Sequence, residues 1–146
     1  MVNPFDPRSV LLAKHAQHVV LVHFPIALFL TGVAFDLAAR FTKSTAFATA
    51  AYFNIIAAAV TVVPVLATGI VAWQWQLAGQ KLKGILLLHL LLGCTSGVLI
   101  CVVAAVRLRS HAPSRFSRFN LPLQLVTASV IALTAHLGGF LSGVAG

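Results

Sequence analysis

Four apolar runs constrain this chain more than any other feature. They lie near residues 18–39, 48–73, 84–106 and 121–143, and each is long enough to cross roughly 30 Å of hydrocarbon as an α-helix. In hydrocarbon only helices and closed barrels satisfy their own backbone. The connections between the runs are short, so consecutive helices must alternate in direction. Sixty per cent of the residues are hydrophobic and eight per cent are charged, whereas a water-soluble domain carries about 25% charged residues. The expected fold is all-α, a transmembrane four-helix up-down bundle. Residues 1–146 read as a single integral-membrane domain with no room for a soluble one. The first run is no cleavable signal peptide, because Asp36 and Arg40 stand where a small-residue cleavage site would be needed.

The charged residues exclude several chemistries. Asp6 and Asp36 are the only side-chain acids, so catalysis by paired carboxylates, of the glycosidase or two-metal kind, is ruled out. No phosphate-cradling GxxxxGK[ST] or GxGxxG is visible. The net charge of +8 comes from basic residues in the connections, the ordinary mark of membrane topology and contact with the lipid bilayer; it does not indicate nucleic acid. Cys94 and Cys101 are seven apart, roughly 10 Å along one helix, too far to bond each other. They read as small buried residues.

Both termini and the 74–83 connection share one side of the membrane, side A, with Arg8, Lys14, Lys81 and Lys83. Side B carries Arg40, Lys43, Arg107, Arg109, Arg115 and Arg118. The excess on side B points to the cytoplasm there and to periplasmic termini. Asn120 is placed to cap the fourth helix, with Pro122 in its first turn. Trp73 and Trp75 fall at the side-A interface, as an aromatic belt requires. Asp36 has Arg40 at i+4 and is expected to pair with it.

The histidines carry the functional signal. His18 and His23 open the first span in HVVLVHFPI, His89 lies just inside the start of the third, and His136 lies just inside the end of the fourth. With alternating directions, His23, His89 and His136 come to one depth, roughly 7–10 Å below side A at 1.5 Å per residue, with His18 above them. An imidazole in hydrocarbon is costly and usually has a partner or a task. Small residues share these faces: Gly93, Gly97 and Cys101 with His89; Ala132, Gly139 and Gly143 with His136; Ala27 and Thr31 with His23. Such faces let helices approach closely or leave room for something flat. The second span adds a small, polar stripe of Asn54, Ala58, Thr61, Thr68, Ala72 and Gln76. Pro25 and Pro64 free the carbonyls of Leu21 and Val60, which must find partners. His15 and His111, in flanking segments, read as interfacial polar residues.

Neutral imidazole ligates haem iron, copper and zinc. Hydrolytic zinc would want a general base, and no acid lies within the membrane on side A. Copper electron-transfer sites usually recruit sulfur, but Met1 is the one methionine and Cys94 is more than a turn from His89. Haem needs two imidazoles and an apolar slot, which these residues can supply. The favoured axial pair is His23 with His89, because the first and third spans run parallel; His18 and His136 would serve a second haem.

HVVLVHFPIALFLTGVAFDL also resembles the opening signature of a bacterial family of small four-span membrane proteins, domain of unknown function 2231. The signature runs approximately His-x-x-Leu-Val-His-Phe-Pro-Ile-Ala with an acid near the helix end, here His18, His23, Phe24, Pro25 and Asp36. ATG at 67–69, LLHLLLG at 87–93 and HLGG at 136–139 extend the resemblance over essentially the whole chain. The FLSGVAG that follows departs from the aromatic and basic tail of that pattern. The resemblance implies a multi-pass protein of the bacterial inner membrane, and members look like accessory subunits of membrane redox systems.

The functional expectation is therefore a cytochrome b-like electron-transfer subunit, not an enzyme on its own. It would bind one or two haems b through His18, His23, His89 and His136 at the small-residue faces of Gly93, Gly97 and Gly139. It would pass electrons between quinone and a partner redox protein at the periplasmic surface. The alternatives are an anchor or assembly subunit whose histidines are hydrogen-bonded within the bundle, and a transporter or proton path. No inverted repeat is evident between the halves, which counts against the last.

Overall fold

The computed structural model describes residues 14–76, 79, 81–109 and 120–142. They form α1 (Lys14–Leu21), α2 (His23–Thr42), α3 (Thr45–Gln76), α4 (Gly84–Arg109) and α5 (Asn120–Leu141), with no strand among them. Four segments are long and apolar enough to cross a membrane: Gln17–Thr42, Thr45–Trp75, Gly84–Arg109 and Asn120–Leu141. The first of these spans joins α1 to α2, so the expected four-helix membrane bundle is present with each helix a few residues from its predicted limits.

Local chemistry explains the joints. Pro25 has no N–H to offer the Leu21 carbonyl, and the helix breaks one residue beyond that carbonyl, at Val22, whose N–H donates to the His18 carbonyl at 3.0 Å. At the other end of α2, Lys43 takes a left-handed conformation, φ 53°, which terminates a helix. Ser44 then accepts the Phe47 N–H on its hydroxyl at 3.5 Å, satisfying an otherwise orphaned donor at the start of α3. This tight turn forces α3 back antiparallel to α2. Gly79 and Gly84, at φ 63° and 57°, occupy the conformation that glycine adopts without strain where α3 gives way to α4. Asn120 does open α5, with Pro122 in its first turn. Its side-chain oxygen is buried without a hydrogen-bond partner among the described residues, so it is not the cap the sequence pointed to.

Each span packs on its neighbours in chain order, and α2 also touches α5, which closes the ring. The α2–α3 and α4–α5 hairpins are the most extensive pairs. Lipid tails are as apolar as leucine, so close packing and polar contacts hold such a bundle together. Phe29, Ile55 and Val103 are fully buried at its centre, with Val33, Val62, Ile100 and Ile131 around them. Gly32 admits Ile55: a Cβ there would stand 2.9 Å from Ile55 Cγ1 and 3.4 Å from the Ala51 carbonyl oxygen.

The packing is uneven along the membrane normal. The buried residues of α4 are Ser96, Gly97, Ile100, Val103, Ala104 and Arg107, and those of α5 are Asn120, Gln124, Thr127 and Ile131. All lie in the middle or toward side B. From Gly84 to Thr95 and from Ala132 to Ser142 no residue is fully buried. Among the described residues, α4 and α5 are thus buried toward side B and not toward side A, whereas α2 and α3 keep Pro25, Val65 and Ala72 buried on the side-A half.

Candidate functional site

The four candidate histidines all lie on the side-A half, in two different settings. His18 turns from α1 toward α3, where its Nδ1 stands 3.3 Å from Thr68 Oγ1. The Thr68 hydroxyl donates to the Val65 carbonyl at 3.0 Å, so its oxygen is left to accept and Nδ1 carries the ring proton. His89 turns from α4 toward α5 and donates Nδ1–H to the Thr134 carbonyl at 3.1 Å. His23 donates Nδ1–H to the Val19 carbonyl of its own span at 2.7 Å and is exposed. His136 is also exposed, edge-on to Phe140 with centroids 5.0 Å apart. In His18, His23 and His89 the proton on Nδ1 leaves the lone pair on Nε2, the form in which imidazole binds a metal.

The glycines divide similarly. A Cβ on Gly138 would meet His89 Cε1 at 3.1 Å, and one on Gly69 would meet His18 Cε1 at 3.0 Å. Gly93 faces Thr134, whose methyl would lie 3.8 Å from an added Cβ, while Gly139 faces nothing within 4 Å. Gly97 takes the side chain of Leu66 from α3, whose Cδ1 would be 2.8 Å from a Cβ. The stripe of His89, Gly93, Gly97 and Cys101 therefore does not keep one neighbour. Each step of four residues advances about 40° around a helix of 3.6 residues per turn, so the stripe begins against α5 and rotates toward α3. Cys101 ends on the surface, and Cys94 is exposed as well, which corrects the expectation that both are buried. Two open apolar grooves run along the surface. One runs between α3 and α4 past Val62, Leu66, Gly97 and Cys101, the other along α4 from Gly84 to Leu91.

Ser96 and Thr134 fix α4 to α5 beside His89. The Thr134 hydroxyl donates to the Val130 carbonyl at 2.8 Å, and its oxygen lies 3.0 Å from the Ser96 hydroxyl, which is left as the donor. Thr134 thus meets α4 three times, through its carbonyl, its methyl and its hydroxyl. On α3, Ala58 and Ala72 are buried, and Asn54 and Thr61 are half-buried with their polar groups bonded to their own helix. The Gln76 side chain and Gly143, both named in the sequence stripes, lie outside the described residues, as do the side chain of His15 and the whole of His111.

A second polar constellation closes side B. Asp36 is fully buried and pairs across the bundle with Arg107 of α4, itself 1% exposed. Gln124 of α5 donates Nε2–H to the other carboxylate oxygen at 3.0 Å. The sequence pointed to Arg40, one turn along the same helix; the structure gives the ion pair to Arg107 instead. Rotation of α2 turns Asp36 into the bundle axis, where α4 and α5 can reach it.

Among the described residues no three of His, Cys, Asp and Glu lie close enough to hold a bare metal ion. A family model described as "Predicted membrane protein (DUF2231)" matches residues 14–145. The chain belongs to the DUF2231 family. No curated protein and no solved structure shows a significant match to it. The DUF2231 match spans all four histidines and the whole Asp36–Arg107–Gln124 constellation. Within it, Thr68, Gly69, Thr134 and Gly138 are the contact residues that sequence reasoning did not assign to the histidines. The ATG at 67–69 was on view, but nothing in it says that a histidine fifty residues earlier rests there.

Proposed function

We propose that this DUF2231 protein is a transmembrane electron-transfer subunit that binds one or two haems b near side A, with axial ligands drawn from His18, His23, His89 and His136. The observation that carries this reading is that the four imidazoles stand on the side-A half, where among the described residues α4 and α5 bury no residue fully. Two imidazoles suffice for a haem, so the lack of a three-ligand cluster does not oppose it. The Nδ1–H bonds of His23 and His89 leave the lone pair on Nε2, and a Cβ placed on Gly139 would meet nothing within 4 Å.

When bound, the haem would supply one-electron chemistry. The chain's own residues would do the rest. The Thr68 hydroxyl and the Thr134 carbonyl would orient His18 and His89. The apolar ends of α4 and α5, with Ile85, Leu88 and Leu133 exposed, would exclude water. The Asp36–Arg107 pair would hold the far end shut, so that exchange with a redox partner or quinone takes place on side A, in the periplasm of a bacterial inner membrane. The test is a pyridine haemochrome assay of protein purified from haem-replete cells. One or two haems b per chain is the expected result, and less than a tenth of a haem would refute the reading.

The anchor reading is favoured by one observation of its own. His18 and His89 each make a hydrogen bond to a neighbouring helix, which is what a histidine holding helices together would do. Under that reading, replacing them lowers assembly of a larger complex and leaves no optical signature.

A further inference from the structure

The side-B end of the bundle carries more positive charge than the chain itself can balance. The Asp36 carboxylate is taken by Arg107, and both are buried. One turn further along α2 stands Arg40, half-buried as a residue but with its Nε and Nη2 atoms out of contact with the surroundings. Two guanidinium groups therefore share the neighbourhood of one carboxylate. Lys43, exposed, follows at the end of the helix. Asp6, the other side-chain acid of the chain, precedes the first span and belongs to side A. Whatever hydrogen bonds Arg40 makes, none can go to a second carboxylate of this chain on side B, and a second copy of the chain would bring none either.

A cation drawn partly out of water is costly without an opposite charge, and its neighbours indicate where that charge comes from. Phe41, beside Arg40, is 85% exposed, and Leu108, beside Arg107, is 53% exposed. Such side chains rest against hydrocarbon, not against water. The first span runs for 26 residues to Thr42, roughly 39 Å at 1.5 Å per residue, whereas the hydrocarbon core is about 30 Å thick. The last turn of α2 thus reaches the headgroup layer, where lipid phosphates already stand. The acidic face of a water-soluble protein would have to cover Phe41 to reach the same place. Arg109 is the internal comparison. It lies two residues past Arg107, about 200° around α4, and is fully exposed, with the same charge and none of the burial.

We propose that Arg40, with Lys43 at its rim, is the seat for the phosphate of one anionic phospholipid in the side-B leaflet. A guanidinium with part of its head packed loses less freedom on binding than an exposed one, and a partly desolvated arginine pairs more strongly with a phosphate. Lys43 adds a point charge from the turn. Asp36 and Arg107 stay paired with each other, and the lipid supplies the negative charge that this end lacks. The site is independent of the electron-transfer reading, since it lies at the opposite end of the bundle from the four histidines.

Native mass spectrometry of the full-length protein in detergent, titrated with dioleoyl-phosphatidylglycerol, tests it. The expected result is one tightly held phosphatidylglycerol per chain, with dioleoyl-phosphatidylcholine bound at least about fivefold more weakly. Equal binding of the two lipids overturns the proposal. Lys43→Gln should weaken the first phosphatidylglycerol about fivefold and Arg40→Gln at least as much, while Arg109→Gln leaves it in place. Equal losses from all three variants would mean a diffuse attraction of the basic surface and no seat at Arg40. If R40Q does not fold, K43Q still decides, because Lys43 is exposed on the turn: a K43Q protein that binds phosphatidylglycerol as wild type does contradicts the assignment. Inorganic phosphate is the last arm. Millimolar phosphate should neither displace the lipid nor replace it in raising the melting temperature, and displacement would give the site to a free anion instead of a lipid.

Discussion

Arg107, near the side-B end of the third span, pairs with Asp36 of the first, and both side chains are almost wholly out of contact with the surroundings. A carboxylate at that depth is tolerable only with an opposite charge against it. The pair, with Gln124 from the fourth span, draws three helices to one point. It ties the side-B ends of the first, third and fourth spans together.

Removing one partner should be far worse than removing both. Arg107→Ala leaves the buried Asp36 carboxylate without its opposite charge, and breaking a buried pair in this way costs roughly 3–5 kcal/mol in comparable sites; Asp36→Ala should also destabilise. The double variant D36L/R107L should recover much of that loss, because an apolar pair of similar volume replaces an ion pair with little net cost. Thermal unfolding in detergent measures it. Single variants as stable as wild type would mean that the pair does not hold the bundle.

The glycines should separate into two classes. Gly32→Ala puts a methyl 2.9 Å from Ile55 and 3.4 Å from a backbone oxygen, an overpacking that costs about 1–3 kcal/mol. Gly139→Ala meets nothing within 4 Å and should unfold with wild type. Equal melting temperatures for the two variants would contradict the α2–α3 packing described above.

Ser96 should reveal how firmly the second hairpin is tied. Thr134→Val removes the acceptor of the buried Ser96 hydroxyl, and an unsatisfied buried donor costs about 1–3 kcal/mol. The double variant S96A/T134V should cost less than T134V alone, since it removes the orphan. A double variant weaker than either single one would argue against that bond.

The excess of basic residues on side B predicts that side A faces the periplasm. In a background without Cys94 and Cys101, K83C should react with an impermeant thiol reagent added to intact spheroplasts, and K43C only after the membrane is opened. Both positions are exposed. The reverse pattern would place side A in the cytoplasm.

Much of the architecture was legible because bilayer thickness leaves little freedom. A run such as 84–106 is too long and too apolar to be anything but a span, and Gly84–Arg109 is what forms. The helix end on which each histidine stands was legible for the same reason, since it depends only on the order of the spans and the rise per residue. Rotation was not. Whether Asp36 meets Arg40 or Arg107 depends on which way α2 turns about its axis, and both partners satisfy the local pattern. Gly138 and Gly139 differ by one residue, hence by about 100° of helix, and only the packed structure shows that Gly138 faces His89. Uneven packing along the normal was invisible as well, because leucines at 87, 88 and 91 read as apolar whether helix or lipid covers them.

The measurement that bears most directly on the central claim is the dithionite-reduced minus air-oxidised absorption spectrum of the purified wild-type protein. Sharp α and β bands of low-spin haem b are the predicted result, the optical mark of iron held between two imidazoles. A flat difference spectrum from haem-replete cells would contradict the account and leave the histidines as hydrogen-bonded ties between helices.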